Sequence, residues 1–153
     1  MIHIYYGYGK GKTCSALGAG MRAVGSGMTV SLVQFLKDDT SGELGVLPFE
    51  IYPSPHKLSF NPGAEYQSWV DGALEYIRRC DSQVIILDEF LDIIPDYLGI
   101  DDALLLLSDH REYIITGHKS IQQMVECADY VTFFEKKKHP YDRGLNARKG
   151  IEF

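Results

Sequence analysis

The chain has 153 residues, 45% hydrophobic and 24% charged, the size and balance of one globular domain with one sizeable core. Its formal net charge of −6 argues against broad nucleic-acid binding, and no apolar run approaches the length of a membrane span. Three scattered cysteines with no C-x-x-C pair argue against a disulfide framework or a structural zinc site and favour a reducing, cytoplasmic setting.

In chain order, the first element is a strand-like run, "IHIYY", with no signal peptide expected before it. A glycine-rich turn follows, "GYGKGKT", and then a small, helix-compatible segment, "KTCSALGAGMRAVGSG", that stops at Gly25 and Gly27. "TVSLVQFL" is the second strand candidate. Residues 38–66 read as a long proline- and glycine-rich loop with one short strand at "FEIY", and loops of that length tend to be functional or mobile. Trp69, Val70, Ala73, Leu74 and Ile77 recur at helical spacing in "YQSWVDGALEYIRR".

Three more strand candidates, "QVIILDE", "EYIITG" and "YVTFFE", alternate with helix candidates "DDALLLLSD" and "SIQQMVECAD", for which Asp101 and Ser120 are possible caps. Near-continuous apolar runs such as "VIIL" suit a parallel sheet covered on both faces. The rhythm predicts an α/β, three-layer domain of the P-loop NTPase (RecA-like) type with a mostly parallel sheet, single over residues 1–153.

The turn carries the first chemistry. Strand, glycine-rich turn and helix are the context that a phosphate-binding P-loop requires, although Tyr6 stands where the usual pattern has its first glycine. If Gly7 makes the turn, Gly7, Gly9 and Gly11 let backbone N–H groups face an anion at the helix start. Lys12 and Lys10 then supply positive charge to phosphate, and the Thr13 hydroxyl ligates Mg²⁺. Tyr8 and Cys14 flank the same site, and Cys14 reads as a small buried residue. "VIILDEF" places Asp88 and Glu89 at the C-terminal end of a buried strand, where open α/β sheets bind ligands. Asp88 is the first metal candidate and Glu89 the alternative ligand or a water-positioning group. These features alone fit a kinase, a hydrolase and a nucleotide-dependent switch equally.

Taken with "VQFLK", "VIILDEF", "YIITGH" and the tail "KHPYDRGLNARKGIEF", the loop "GYGKGKT" resembles one family in motif and in order. These are the P-loop corrinoid adenosyltransferases, which carry G-N-G-K-G-K-T, V-Q-F-x-K, a strand ending in D-E, T-G-R, and a tail K-H-x-x-x-x-G-x-x-A-x-x-G-I-[ED]-F. The family's own loop lacks the first glycine, so Tyr6 is no sign of decay. The resemblance implies transfer of the 5′-deoxyadenosyl group of ATP to the cobalt of a Co(I) corrinoid, cob(I)alamin or a relative, with release of triphosphate. It implies ATP with Mg²⁺ (or Mn²⁺), a homodimer, and an external reductant such as a flavoprotein.

By the match, Arg22 falls where the family has an arginine near the nucleotide, and Phe60 is the remnant of an aromatic wall under the corrinoid. Lys138, His139, Arg148, Lys149 and Glu152 lie in the matching tail, where packing is as good an explanation as ligand contact. Gln34 is either a polar group of the site or a satisfied core residue. Two departures stand out: His118 replaces the T-G-R arginine, and Asn61-Pro62 replace the rest of the aromatic wall. They keep two alternatives open, a non-catalytic nucleotide- or corrinoid-binding regulator and a P-loop NTPase or kinase of other specificity.

Overall fold

The structure, a computed structural model, describes residues 1–59 and 62–151. Its centre is a six-stranded sheet in the order β3-β2-β4-β5-β1-β6. The strands are β1 (Ile2–Tyr6), β2 (Val30–Gln34), β3 (Glu50–Ile51), β4 (Val84–Asp88), β5 (Glu112–Gly117) and β6 (Tyr130–Phe133), and every pairing is parallel. Parallel strands need crossovers, and the helices α1 (Lys12–Gly25), α2 (Glu65–Arg79), α3 (Ile100–Leu106) and α4 (Gln122–Cys127) supply them. All strand C-termini therefore point to one edge.

The central strands alternate between two cores. Ile85 and Leu87 of β4 join Val33, Tyr113 and Ile115 against Val70, Ala73, Leu74 and Ile77 of α2, Ala103 and Leu106 of α3, and Met124 of α4. Val84 and Ile86 of the same strand join Leu32 and Ile114 against Ala16 of α1. A strand buried on both faces has no polar side, which is why "VIIL" shows no alternation. The three-layer expectation holds. Helix α1 lies so close to the sheet that a Cβ on Gly20 would stand 2.7 Å from the Ile86 side chain.

Three local expectations are corrected. The YVTFFE run reads as a buried strand, but β6 is an edge strand and all four of its residues are exposed. Neither Asp101 nor Ser120 caps a helix: α3 starts at Ile100 behind Gly99, and α4 starts at Gln122 behind Ile121, with no side-chain cap on either. Cys14 is exposed, because it sits on the solvent side of the first turn of α1. The long loop does hold one short strand, β3, and also a single 3-10 turn at Gly42–Gly45. No helix among the described residues is long and apolar enough to cross a membrane.

Candidate nucleotide and metal site

The loop after β1 is shaped by glycine. Gly7 has φ 116°, a conformation that a side chain disfavours, and a Cβ there would lie 2.5 Å from the Phe134 carbonyl oxygen. The Gly7 N–H donates to the Gly117 carbonyl at 3.2 Å, and the Gly9 N–H to the Phe134 carbonyl at 2.8 Å. These two amides pin the loop to the ends of β5 and β6, so they do not face an anion as expected. At the start of α1, Lys12, Thr13 and Cys14 have no preceding helical turn to accept their N–H groups, and amides so placed suit an anion. Gly11, at φ 115°, swings the chain into the helix. Lys12 is buried, with its ammonium folded back to donate to the Gly9 carbonyl at 3.4 Å.

Asp88 is the hub of the site. Its carboxylate is fully buried at the end of β4, and four donors converge on it. Oδ1 accepts from the Thr13 hydroxyl at 2.9 Å and the Thr116 hydroxyl at 2.7 Å. Oδ2 accepts from the Lys37 ammonium at 2.5 Å and from the Gln34 amide at 3.3 Å. Lys37 also donates to Thr13 Oγ1 at 3.3 Å. Two of the three residues expected to hold the metal, Thr13 and Asp88, are thus brought into contact, while the third, Glu89, turns elsewhere. Gln34 is tied to the same hub: its Nε2 also reaches Glu43 at 2.9 Å, and its buried Oε1 has no partner among the described residues.

Burial opposes charge on Lys37, but Asp88 first, then Glu89 and Glu43, outweigh it and hold its pKa above the ordinary lysine value. The donors gathered here, Thr13 Oγ1, the Asp88 carboxylate and the orphaned Gln34 Oε1, are all oxygen. A hard divalent cation such as Mg²⁺ or Mn²⁺ fits that chemistry.

Glu89 belongs to a neighbouring cluster. Its backbone is left-handed at φ 57°, with its N–H held by the Thr116 hydroxyl at 2.8 Å, and its side chain turns toward His118. His118 Nδ1 lies 2.9 Å from Asp92 Oδ2 and 3.3 Å from Glu89 Oε2, and the His118 N–H donates to the same Asp92 oxygen at 2.9 Å. The hydrogen bond to Asp92 first, and then the nearby Glu89 carboxylate, push the His118 pKa up to about 9. Burial works against ionisation of Asp92, but the His118 hydrogen bonds prevail and hold it at about 2. Burial raises Glu89 above the usual carboxylate range, with His118 pulling the other way. His118 is therefore a held cation and more than a turn residue. The exposed Tyr8 ring of the loop packs on it at 5.4 Å.

Other expected residues lie elsewhere. The Lys10 ammonium donates to the Ile151 carbonyl of the tail at 2.6 Å. Arg22 is exposed in the last turn of α1, ten residues beyond Lys12 and roughly 15 Å along the helix, so the structure does not bring it to the loop. His139 caps the turn Pro140–Arg143 by accepting from the Tyr141 N–H at 3.2 Å, and Lys138 is exposed. Arg148 and Lys149 are exposed in the tail. Phe60 and Glu152 fall outside the described residues. Sequence reasoning missed Lys37, Thr116, Asp92 and Glu43. Lys37 was signalled by "VQFLK" and Thr116 by its place beside Gly117-His118. Asp92, four residues after Asp88, and Glu43, inside the irregular loop, carried no separate signal.

With this geometry in place, comparison with known proteins identifies the family. The ATP:corrinoid adenosyltransferase family, described as BtuR/CobO/CobP, matches residues 1–153. The corrinoid adenosyltransferase CobA of Salmonella typhimurium is 30% identical, with all of this chain aligned to 85% of that protein. The corrinoid adenosyltransferase of Escherichia coli K12 is 32% identical over the same shares, and that of Pseudomonas aeruginosa 30% identical, with 83% of its length covered. The chain belongs to the ATP:corrinoid adenosyltransferase family.

Proposed function

We propose that the chain binds the triphosphate of ATP at the loop Gly7–Thr13 and delivers the 5′-deoxyadenosyl group to a Co(I) corrinoid. Cobalt(I) supplies the electron pair that forms the bond to C5′. The C5′–O5′ bond breaks with its pair going to oxygen, triphosphate leaves, and cobalt ends as alkyl-cobalt(III). No phosphorus–oxygen bond is cleaved. The observation that carries the nucleotide assignment is the contact of Thr13 with Asp88 beside the buried ammonium of Lys12.

The work of the residues is to receive a polyanionic leaving group and hold C5′ open to attack. Lys12 and the first amides of α1 neutralise phosphate oxygens. Thr13, Asp88 and Gln34 would hold a Mg²⁺ or Mn²⁺, which when bound would add charge stabilisation to the departing triphosphate. Lys10 lies at the mouth of the loop, so its part is to fasten the tail over the nucleotide. Tyr8 and His118 form the rim. Phe60 remains the candidate for the corrinoid side. The low-potential electrons that make Co(I) are assigned to a separate reductant, such as a flavoprotein. Two copies would pair across a surface such as the exposed Tyr130, Val131 and Phe133 of β6.

The test is an anaerobic assay with Mg·ATP and chemically reduced cob(I)alamin, following the corrinoid spectrum and the released phosphates together. The expected result is a cobalt–carbon product with one triphosphate per turnover. ATP bound without that product would leave a regulator, and ADP in place of triphosphate would make the chain a hydrolase.

A further inference from the structure

Lys37 is the most unusual residue of the hub. Its ammonium lies 2.5 Å from Asp88 Oδ2 and 3.3 Å from Thr13 Oγ1, which puts a positive charge between the two groups best suited to a divalent cation. Three carboxylates, those of Asp88, Glu89 and Glu43, act on it together. Of these, only Asp88 is in contact with the ammonium; Glu89 faces His118 and Glu43 faces Gln34. Gln34 Oε1, buried in the same place, offers an acceptor that no donor among the described residues uses. An ammonium has three donors and cannot accept, so it can stand in for a cation but leaves an all-oxygen site only partly answered.

Resting on the nucleotide reading above, we propose that Lys37 is the resident counter-cation of the Thr13–Asp88 site, and that it must yield Asp88 before a divalent cation and ATP can occupy it. Two consequences follow for the chain's own residues. First, Lys37 keeps the buried Asp88 carboxylate neutralised while the site holds no nucleotide, so the hub does not repel itself or draw in a free divalent ion. Second, once released from Asp88, an ammonium already in contact with Thr13 Oγ1 would add a third cation to Lys12 and the metal. Lys37 is thus a positioning residue that couples metal entry to nucleotide entry. Glu43 is the arm that holds the long loop to this device, through Gln34 Nε2 at 2.9 Å.

The experiment is titration of the full chain with Mn²⁺ in the absence of nucleotide, read by electron paramagnetic resonance of free Mn²⁺, and then with ATP. Lys37→Met removes the competing charge and keeps the stem. It is expected to tighten Mn²⁺ binding at least tenfold relative to the parent chain, while ATP affinity in excess Mg²⁺ falls at least tenfold. Lys37→Arg, which keeps the charge, is expected to leave nucleotide-free Mn²⁺ binding at the parent level. Equal Mn²⁺ affinity in the parent and Lys37→Met, or no Mn²⁺ bound by either, would overturn the proposal. If Lys37→Met does not fold, Lys37→Gln, which retains a donor for Asp88, takes its place with the same expected shift. Failure of the adenosyltransferase reading would show separately, as absence of the cobalt–carbon product in the parent chain.

Discussion

The Thr13 hydroxyl and the Asp88 carboxylate lie 75 positions apart in the chain and 2.9 Å apart in space. One ends the phosphate loop and the other ends β4, and strand β5 lies between their two strands in the sheet. Thr116 of β5 fills that gap by donating to the same Asp88 oxygen at 2.7 Å. The contact therefore depends on strand order, and under the proposed function it is where metal, nucleotide and sheet would be joined.

Lys12→Ala removes the buried ammonium of the loop. Hydrogen bonds to charged groups are worth about 1.5–3 kcal/mol, so ATP affinity is expected to fall roughly 10- to 150-fold. Calorimetric titration with Mg·ATP measures this directly. Binding within a factor of two of the parent would remove Lys12 from the phosphate site.

Asp88→Asn takes away the buried partner of Lys37 and leaves the ammonium facing a neutral amide. Removing one member of a buried ion pair typically costs about 3–5 kcal/mol, and the part-exposed Lys37 puts this case near the lower end. Urea unfolding of the nucleotide-free chain is expected to show a loss of about 3 kcal/mol. A loss under about 0.5 kcal/mol, the scale of an ordinary surface change, would contradict the hub.

Gly7→Ala forces a side chain into positive φ and against the Phe134 carbonyl. Strain of about 1–2 kcal/mol from the backbone alone is expected, and the collision adds to it. Because the Gly7 and Gly9 amides anchor the loop, ATP affinity is expected to fall with stability. An unaltered thermal midpoint would mean that the loop has room the geometry does not show.

His118 makes the stability of the chain depend on pH. Its pKa is about 9 in the folded protein against an ordinary 6.5, so its contribution is complete below pH 6.5 and is lost as pH rises through 9. Asp92 sets the acid side: it is held at about 2 against 3.8, and its contribution is lost as pH falls through that range. Urea midpoints between pH 6 and 10 are expected to decline more steeply for the parent than for His118→Ala. Parallel curves would show that the imidazole is not held as a cation.

Much of this protein is legible in its amino-acid sequence. The run "VIIL" marks a strand buried on both faces because neither side of it tolerates a charge, and the glycines of "GYGKGKT" mark a turn because only they take positive φ freely. Lys12, Thr13 and Asp88 follow from those local patterns, and the order of motifs points to the family. What the sequence conceals is the company these residues keep. Whether a lysine after β2, a threonine on β5 and a glutamine at the end of β2 converge on one carboxylate depends on which strands are neighbours. Periodicity records which face of an element is apolar; it does not record which element lies alongside. Burial of the two cores sets that order, and with it the four donors on Asp88 and the cation held by Asp92 and Glu89.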